Sequence, residues 1–163
     1  LLIALGAGAL AVPFRSFAQQ ASRIVRIGVL IGFAEDDPDA RLRLAAFKEG
    51  LAVLGWVDGR NLSIDLRWSA GDANRASMFA KELVALQPAA ILSMSTPATA
   101  ALKRETQTIP IVFTTVSDPV GSGFAKTLAR PGANITGFIN LESSIAGKWL
   151  QLLKEIAPRM TRT

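Results

Sequence analysis

The chain has neither cysteine nor histidine, and no tyrosine, in 163 residues. Without histidine there is no usual general base, no Ser-His-Asp or Cys-His nucleophile and no His-ligated metal. Without cysteine there are no disulfides, no thiolate chemistry, no zinc ribbon and no iron-sulfur cluster. Lys and Arg outnumber Asp and Glu by 18 to 13, but the excess is scattered in pairs such as Arg23 and Arg26, Arg41 and Arg43, and Lys103 and Arg104. No basic run interleaved with aromatics is present, so a nucleic-acid partner is not expected. Half of the residues are hydrophobic and 19% are charged, which excludes a disordered chain. What remains is a globular chain, one domain or one lobe of something larger, that binds a ligand or works with carboxylates, hydroxyls and lysines.

Leu1 to Phe14 is uncharged and apolar or small. A run of about 14 such residues falls short of the ~20 that cross a bilayer and fits the core of a signal peptide. Ser16 and Ala18 are small residues placed as signal peptidase requires, so residues 1–18 are expected to be a signal peptide cleaved after Ala18. The chain starts at Leu1 without Met or a basic leader, so further residues are expected upstream. A lipoprotein signal needs a cysteine at the cleavage site, and none stands there. A soluble exported protein of a Gram-negative periplasm is expected, not a lipoprotein. Gly6-Ala7-Gly8-Ala9-Leu10-Ala11 matches a dinucleotide fingerprint in letters only, because it lies in the signal core with no strand ahead of it.

From Ile24 onward the pattern alternates between strand and helix. Ile24 to Ile31 is almost wholly apolar, as in a parallel strand covered on both faces. Asp37 is an N-cap with Pro38 at the first helical position, and Ala40, Leu44, Phe47, Leu51 and Leu54 then recur at helical spacing up to Gly55. Leu62, Ile64, Leu66 and Trp68 alternate with polar residues, which places the second strand near a sheet edge. Asp72 caps a second helix with Ala76, Phe79, Ala80, Leu83 and Leu86 on one face. Ala89 to Leu92, Ile109 to Phe113 and Ile135 to Phe138 read as strands. Ser95-Thr96-Pro97 starts a third helix, and Ile145, Trp149, Leu152, Leu153 and Ile156 stripe a last one. The expected fold class is α/β: an open parallel sheet with helices on both faces.

Ligands of such sheets bind beyond the carboxyl ends of the strands, so those loops carry the candidate site. Glu35-Asp36-Asp37-Pro38-Asp39 follows the first strand and is read as helix capping, not as a magnesium site. Ser95 and Thr96 offer two hydroxyls and backbone N–H groups at a helix N-terminus, a seat for a carboxylate. After the fourth strand, Thr114-Thr115-Val116-Ser117-Asp118-Pro119-Val120-Gly121-Ser122-Gly123 is long and polar. Asp118 opposite an anion seat suits a zwitterion, Ser95 and Thr96 taking its carboxylate and Asp118 its ammonium. No catalytic constellation appears: Gly147-Lys148 is followed by Trp149 and lacks the upstream glycine of a Walker loop. No enzyme activity, cofactor or metal is therefore expected.

The strand Ile24–Ile31 with Gly32-Phe33, the stretch from Phe47 through Gly55-Trp56-Val57-Asp58-Gly59-Arg60-Asn61-Leu62, and Trp68-Ser69-Ala70-Gly71-Asp72 together resemble the ABC transporter substrate-binding proteins of the TrpX-like group. The likeness continues through Ile109–Phe113, Ser117–Gly123, Leu128–Gly132 and Asn134–Gly137, and covers residues 24–163. The resemblance implies a type I periplasmic-binding fold: two Rossmann-like lobes on a hinge that close on a solute and present it to an ABC permease and its ATPase. Residues 19–138 would be the first lobe, and 139–163 the crossover and first helix of the second, whose remainder lies beyond Thr163. The resemblance also implies a solute that is an amino acid or a related compound, bound by a monomer. It implies that Gly32, Phe33, Ser95, Thr96, Ser117 and Asp118 face the cleft and that Asn140 lies near the crossover. Phe33 is a candidate to stack on an aromatic solute, with core packing as the commoner role of an apolar residue there. The alternative reading is a periplasmic ligand-binding sensor domain of a signalling receptor, which shares the fold.

Overall fold

In the computed structural model, residues 24–139 and 144–157 are described. The expected signal peptide and Asn140 lie outside them. Five strands form one sheet in the order β2-β1-β3-β4-β5, all pairs parallel. They are β1 (Val25–Ile31), β2 (Leu62–Trp68), β3 (Ala90–Met94), β4 (Ile111–Val116) and β5 (Ile135–Ile139). The helices are α1 (Pro38–Val53), α2 (Ala73–Ala85), α3 (Thr96–Glu105) and α4 (Ser144–Ile156). The expected fold class is the observed one, and β2 lies at the edge, as its alternating pattern requires.

Local chemistry starts the helices where the sequence places them. Asp37 accepts the Ala40 N–H at 2.8 Å ahead of Pro38, and Asp72 accepts the N–H groups of Asn74 and Arg75 at 2.7 and 3.0 Å. Each cap satisfies donors that the first helical turn leaves free. Gly55, at φ 86°, lets the chain reverse after α1.

The sheet divides the core in two. On one face Leu30, Ile91, Ile111, Phe113 and Ile135 pack with Ala76, Ala80 and Leu83 of α2 and Ala98, Ala101 and Leu102 of α3. A fully buried leucine such as Leu83 or Leu102 contributes about 1.5–3 kcal/mol by leaving water. On the other face Val29, Ile31 and Met94 meet Ala40 and Leu44 of α1.

Two expectations change. The stripe on α1 is only half used, since Ala40 and Leu44 are buried, Phe47 and Leu51 are half-buried and Leu54 is 75% exposed. Among the described residues nothing covers its C-terminal end, where Val53 and Leu54 are exposed. The fourth strand also runs on to Val116, so Thr114, Thr115 and Val116 belong to β4 and not to the loop. Val116 is fully buried against the α2 and α3 face, reached through an irregular step in the β4–β5 register between Phe113 and Val116.

Between β4 and β5 no helix forms. The connection seats Phe124, 4% exposed, in the core beside α3 and closes its own turns with Phe124 and Ala125 N–H groups on Pro119 O at 2.7 and 3.1 Å. Among the described residues, no helix is long and apolar enough to cross a membrane.

Candidate solute-binding site

Parallel strands bring the ends of β1, β3 and β4 side by side. Ile31 pairs with Met94, and Met94 with Thr114. The next residues are therefore neighbours: Gly32 donates to Met94 O at 2.9 Å, and Ser95 donates to Thr114 O at 3.2 Å. A Cβ on Gly32 would overlap the Ser95 hydroxyl. Glycine at 32 is what lets Ser95 lie flat against the first loop.

Ser95 sits at φ 122°, ψ 156°, a region that side-chain-bearing residues seldom adopt. On the adjacent strand β4, Thr115 is held at φ 59°, unusual for a β-branched residue. Both residues lie at the carboxyl ends of adjacent strands, where ligands of this fold class bind.

The α3 N-terminus is mostly spent on itself. The Ser95 hydroxyl accepts Ala98 N–H at 3.3 Å, Thr99 N–H bonds Ser95 O at 3.1 Å, and residue 97 is proline without an N–H. Thr96 N–H alone has no acceptor among the described residues, together with its half-buried hydroxyl. The expectation of several free N–H groups is thus narrowed to one, because capping consumes the rest. Below, the buried Ser93 and Thr99 hydroxyls bond each other at 2.8 Å and Thr99 Oγ1 donates to Ser95 O at 2.9 Å, fixing the turn from within the core.

Ser117 and Asp118 follow β4 and are exposed. Asp118 Oδ1 accepts Gly121 N–H at 2.7 Å, and a Cβ at position 121 would overlap Oδ2. The carboxylate is thus pinned over Gly121 through Oδ1. Phe33 is half-buried and packs its ring on the α1-side core, so the residue serves the core while lying on the first crevice loop.

The structure brings Gly32, Phe33, Ser95 and Thr96 together at one edge and places Ser117 and Asp118 just beyond the end of the neighbouring strand. Asn140 lies outside the described residues. Sequence reasoning missed Ser69-Ala70-Gly71, which zips onto the first loop: Ser69 N–H to Ile31 O at 2.8 Å, Ala70 N–H to Phe33 O at 3.1 Å and Gly71 N–H to Gly32 O at 2.7 Å. The Ala-Gly pair after a strand was the available signal, since both residues take positive φ here. Asp72, next to it, has its carboxyl held below the usual carboxylate range, chiefly by the Arg75 and then the Asn74 N–H. That is a capping effect on an exposed group, and it gives the site no acid or base.

Comparison with known proteins bears on the family and the fold. The chain spans 32% of the curated tyrosine-binding protein of Clostridioides difficile (strain R20291), with 34% identity over 113 residues, 69% of this chain. A conserved domain protein from Vibrio cholerae O1 biovar El Tor superposes with a TM-score of 0.75 at 32% identity, over 84% of this chain and 45% of that one. An ABC domain from Streptococcus pneumonia in complex with L-Trp superposes at 0.72 with 30% identity, over 82% of this chain and 44% of that one. The chain thus spans less than half the length of each of these relatives. The family model for ABC transporter substrate binding proteins matches residues 27–163, and the chain belongs to that family.

Proposed function

We propose that this chain is the first lobe of the solute-binding component of an ABC-type uptake system, which captures an amino acid in the periplasm and delivers it to a membrane permease driven by an ATPase. The observation that carries the reading is the crevice edge of a family member: polar donors and one pinned carboxylate oxygen at the carboxyl ends of β1, β3 and β4. Relatives named for tyrosine and solved with L-Trp support an aromatic amino acid as the solute.

In this reading Thr96 N–H and the hydroxyls of Ser95 and Thr96 receive the carboxylate of the zwitterion. Asp118 Oδ2 accepts from its ammonium, a charge-assisted bond that discriminates against acids lacking the amine. Gly32 sets the depth of the pocket, Phe33 offers a ring edge to the side chain and Ser117 lines the entry. Asn140 contributes from the crossover. Residues 1–18 direct export and are removed, 19–138 form the lobe, and 139–163 lead into a second lobe. Contacts from both lobes exist together only in the closed state, so solute shifts the population toward closure and the permease reads the closed form. No step needs a covalent change, and the protein acts as a monomer without catalysis.

A thermal-shift screen of the full-length protein against an amino-acid panel tests the reading. Stabilisation by one or more amino acids is expected, with the effect reduced by Asp118→Asn. A flat response across the panel removes the amino-acid assignment, and an unchanged response of Asp118→Asn removes the role given to that carboxylate.

A further inference from the structure

The β4–β5 connection and α3 both carry groups assigned to the solute, and a single side chain ties them. Lys103 lies two helical turns after Ser95, roughly 12 Å down the axis at ~1.5 Å per residue. Its Nζ donates to Gly123 O, and the ammonium stands 5.9 Å from the centroid of the Phe124 ring. The other hydrogen bonds described within residues 118–125 are internal to that segment: Gly121 N–H to Asp118 Oδ1, Ser122 N–H to Asp118 O, Gly123 N–H to Val120 O, and the two N–H groups on Pro119 O. They close the segment's own turns and do not reach α3. Pro119, Phe124 and Ala125 bury its base, and Lys103 ties its Gly123 to α3.

We propose that Lys103 is a positioning residue for solute binding, which acts through Gly123 and Phe124 to hold Asp118 at a set distance from Ser95 and Thr96. A zwitterion has its carboxylate and ammonium on one carbon, so both partners must be in register at once. A segment free to slide along α3 would let each charge be met only in turn. A cation suits the task because a bond from an ammonium to a carbonyl is stronger than a neutral one, and the same ammonium is attracted to the face of the ring below it. This inference rests on the proposed binding of an amino acid by Asp118 and the α3 N-terminus.

The test uses full-length protein as wild type, Lys103→Met and Lys103→Arg. Methionine keeps an unbranched side chain of similar length and removes the donor, and arginine restores a donor. Two measurements are made: amide hydrogen exchange over residues 119–125 without solute, and the dissociation constants for L-tyrosine and L-tryptophan. The expected result for Lys103→Met is faster exchange in that segment, about tenfold weaker affinity for whichever amino acid the wild type binds, and an unchanged melting temperature without solute. Lys103→Arg is expected to recover most of both. Exchange at the wild-type rate in Lys103→Met overturns the clamp. Faster exchange with unchanged affinity overturns its role in binding and leaves only a structural tie. A wild-type protein that binds neither amino acid overturns the proposed function, and the exchange data then decide the clamp by themselves.

Discussion

The missing side chain of Gly32 and the hydroxyl of Ser95 occupy the same space: a Cβ on the first would overlap the Oγ of the second. The two residues follow neighbouring strands, β1 and β3, and the Met94 carbonyl that Gly32 bonds at 2.9 Å immediately precedes Ser95. Gly32→Ala must therefore displace Ser95, with little room to give because Met94 O stands 3.2 Å from the same Cβ. We expect a loss of about 1–3 kcal/mol in urea unfolding, typical of overpacking, and at least tenfold weaker solute affinity. Alanine at 32 with unchanged affinity would place the solute elsewhere.

Ser95 itself holds a backbone conformation suited to glycine. Ser95→Gly removes the strain and forfeits a cap whose replacement by glycine is mild. The variant is expected to unfold at higher denaturant, by about 0.5–1 kcal/mol, while binding solute more weakly. Opposite signs for stability and affinity are the signature to look for, read from paired unfolding and titration experiments.

Asp72 gives a pH dependence of definite sign. Its carboxyl is held below the ordinary value by the N–H groups of Arg75 and Asn74, so the cap is fully stabilising above the unfolded-state pKa and is lost as pH falls through the lowered folded-state value. Asp72→Ala should flatten the acid limb of the stability curve in that range and leave its slope above neutrality unchanged. An acid limb of unaltered steepness would show that the cap does not form in solution.

Gly137 of β5 faces Phe113 of β4 so closely that a Cβ would overlap the Phe113 carbonyl and ring. Gly137→Ala is expected to cost about 1–3 kcal/mol, because a backbone group cannot move aside as a flexible side chain does. Faster amide exchange from Ile135 to Ile139 would show β5 leaving the sheet. Wild-type stability in this variant would mean that β5 is not seated against β4.

The caps, the parallel sheet and the edge position of β2 were legible because each rests on local chemistry or a simple pattern. Asp37 and Asp72 each stand immediately before their helix and accept an N–H three residues on, and the alternation of Leu62 to Trp68 announces an edge strand. The site was legible only in part. Its contacts depend on which strands lie side by side, so the closeness of Gly32 and Ser95 is written in the β1–β3 register and not in either segment. Thr114 to Val116 read as loop since their polarity hides a strand whose last residue turns inward. Helical spacing likewise groups Phe47 and Leu54 with Leu44 but cannot say how far the sheet extends beneath them. The capping demand on the α3 N-terminus was hidden because only the fold shows which N–H groups Ser95 already holds.

Isothermal titration of the full-length protein with L-tyrosine and L-tryptophan tests the central claim most directly. Saturable binding of at least one at a single site, weakened by both Gly32→Ala and Asp118→Asn, is the predicted result. Absence of binding to either, or binding indifferent to both substitutions, would contradict an amino-acid site at the ends of β1, β3 and β4.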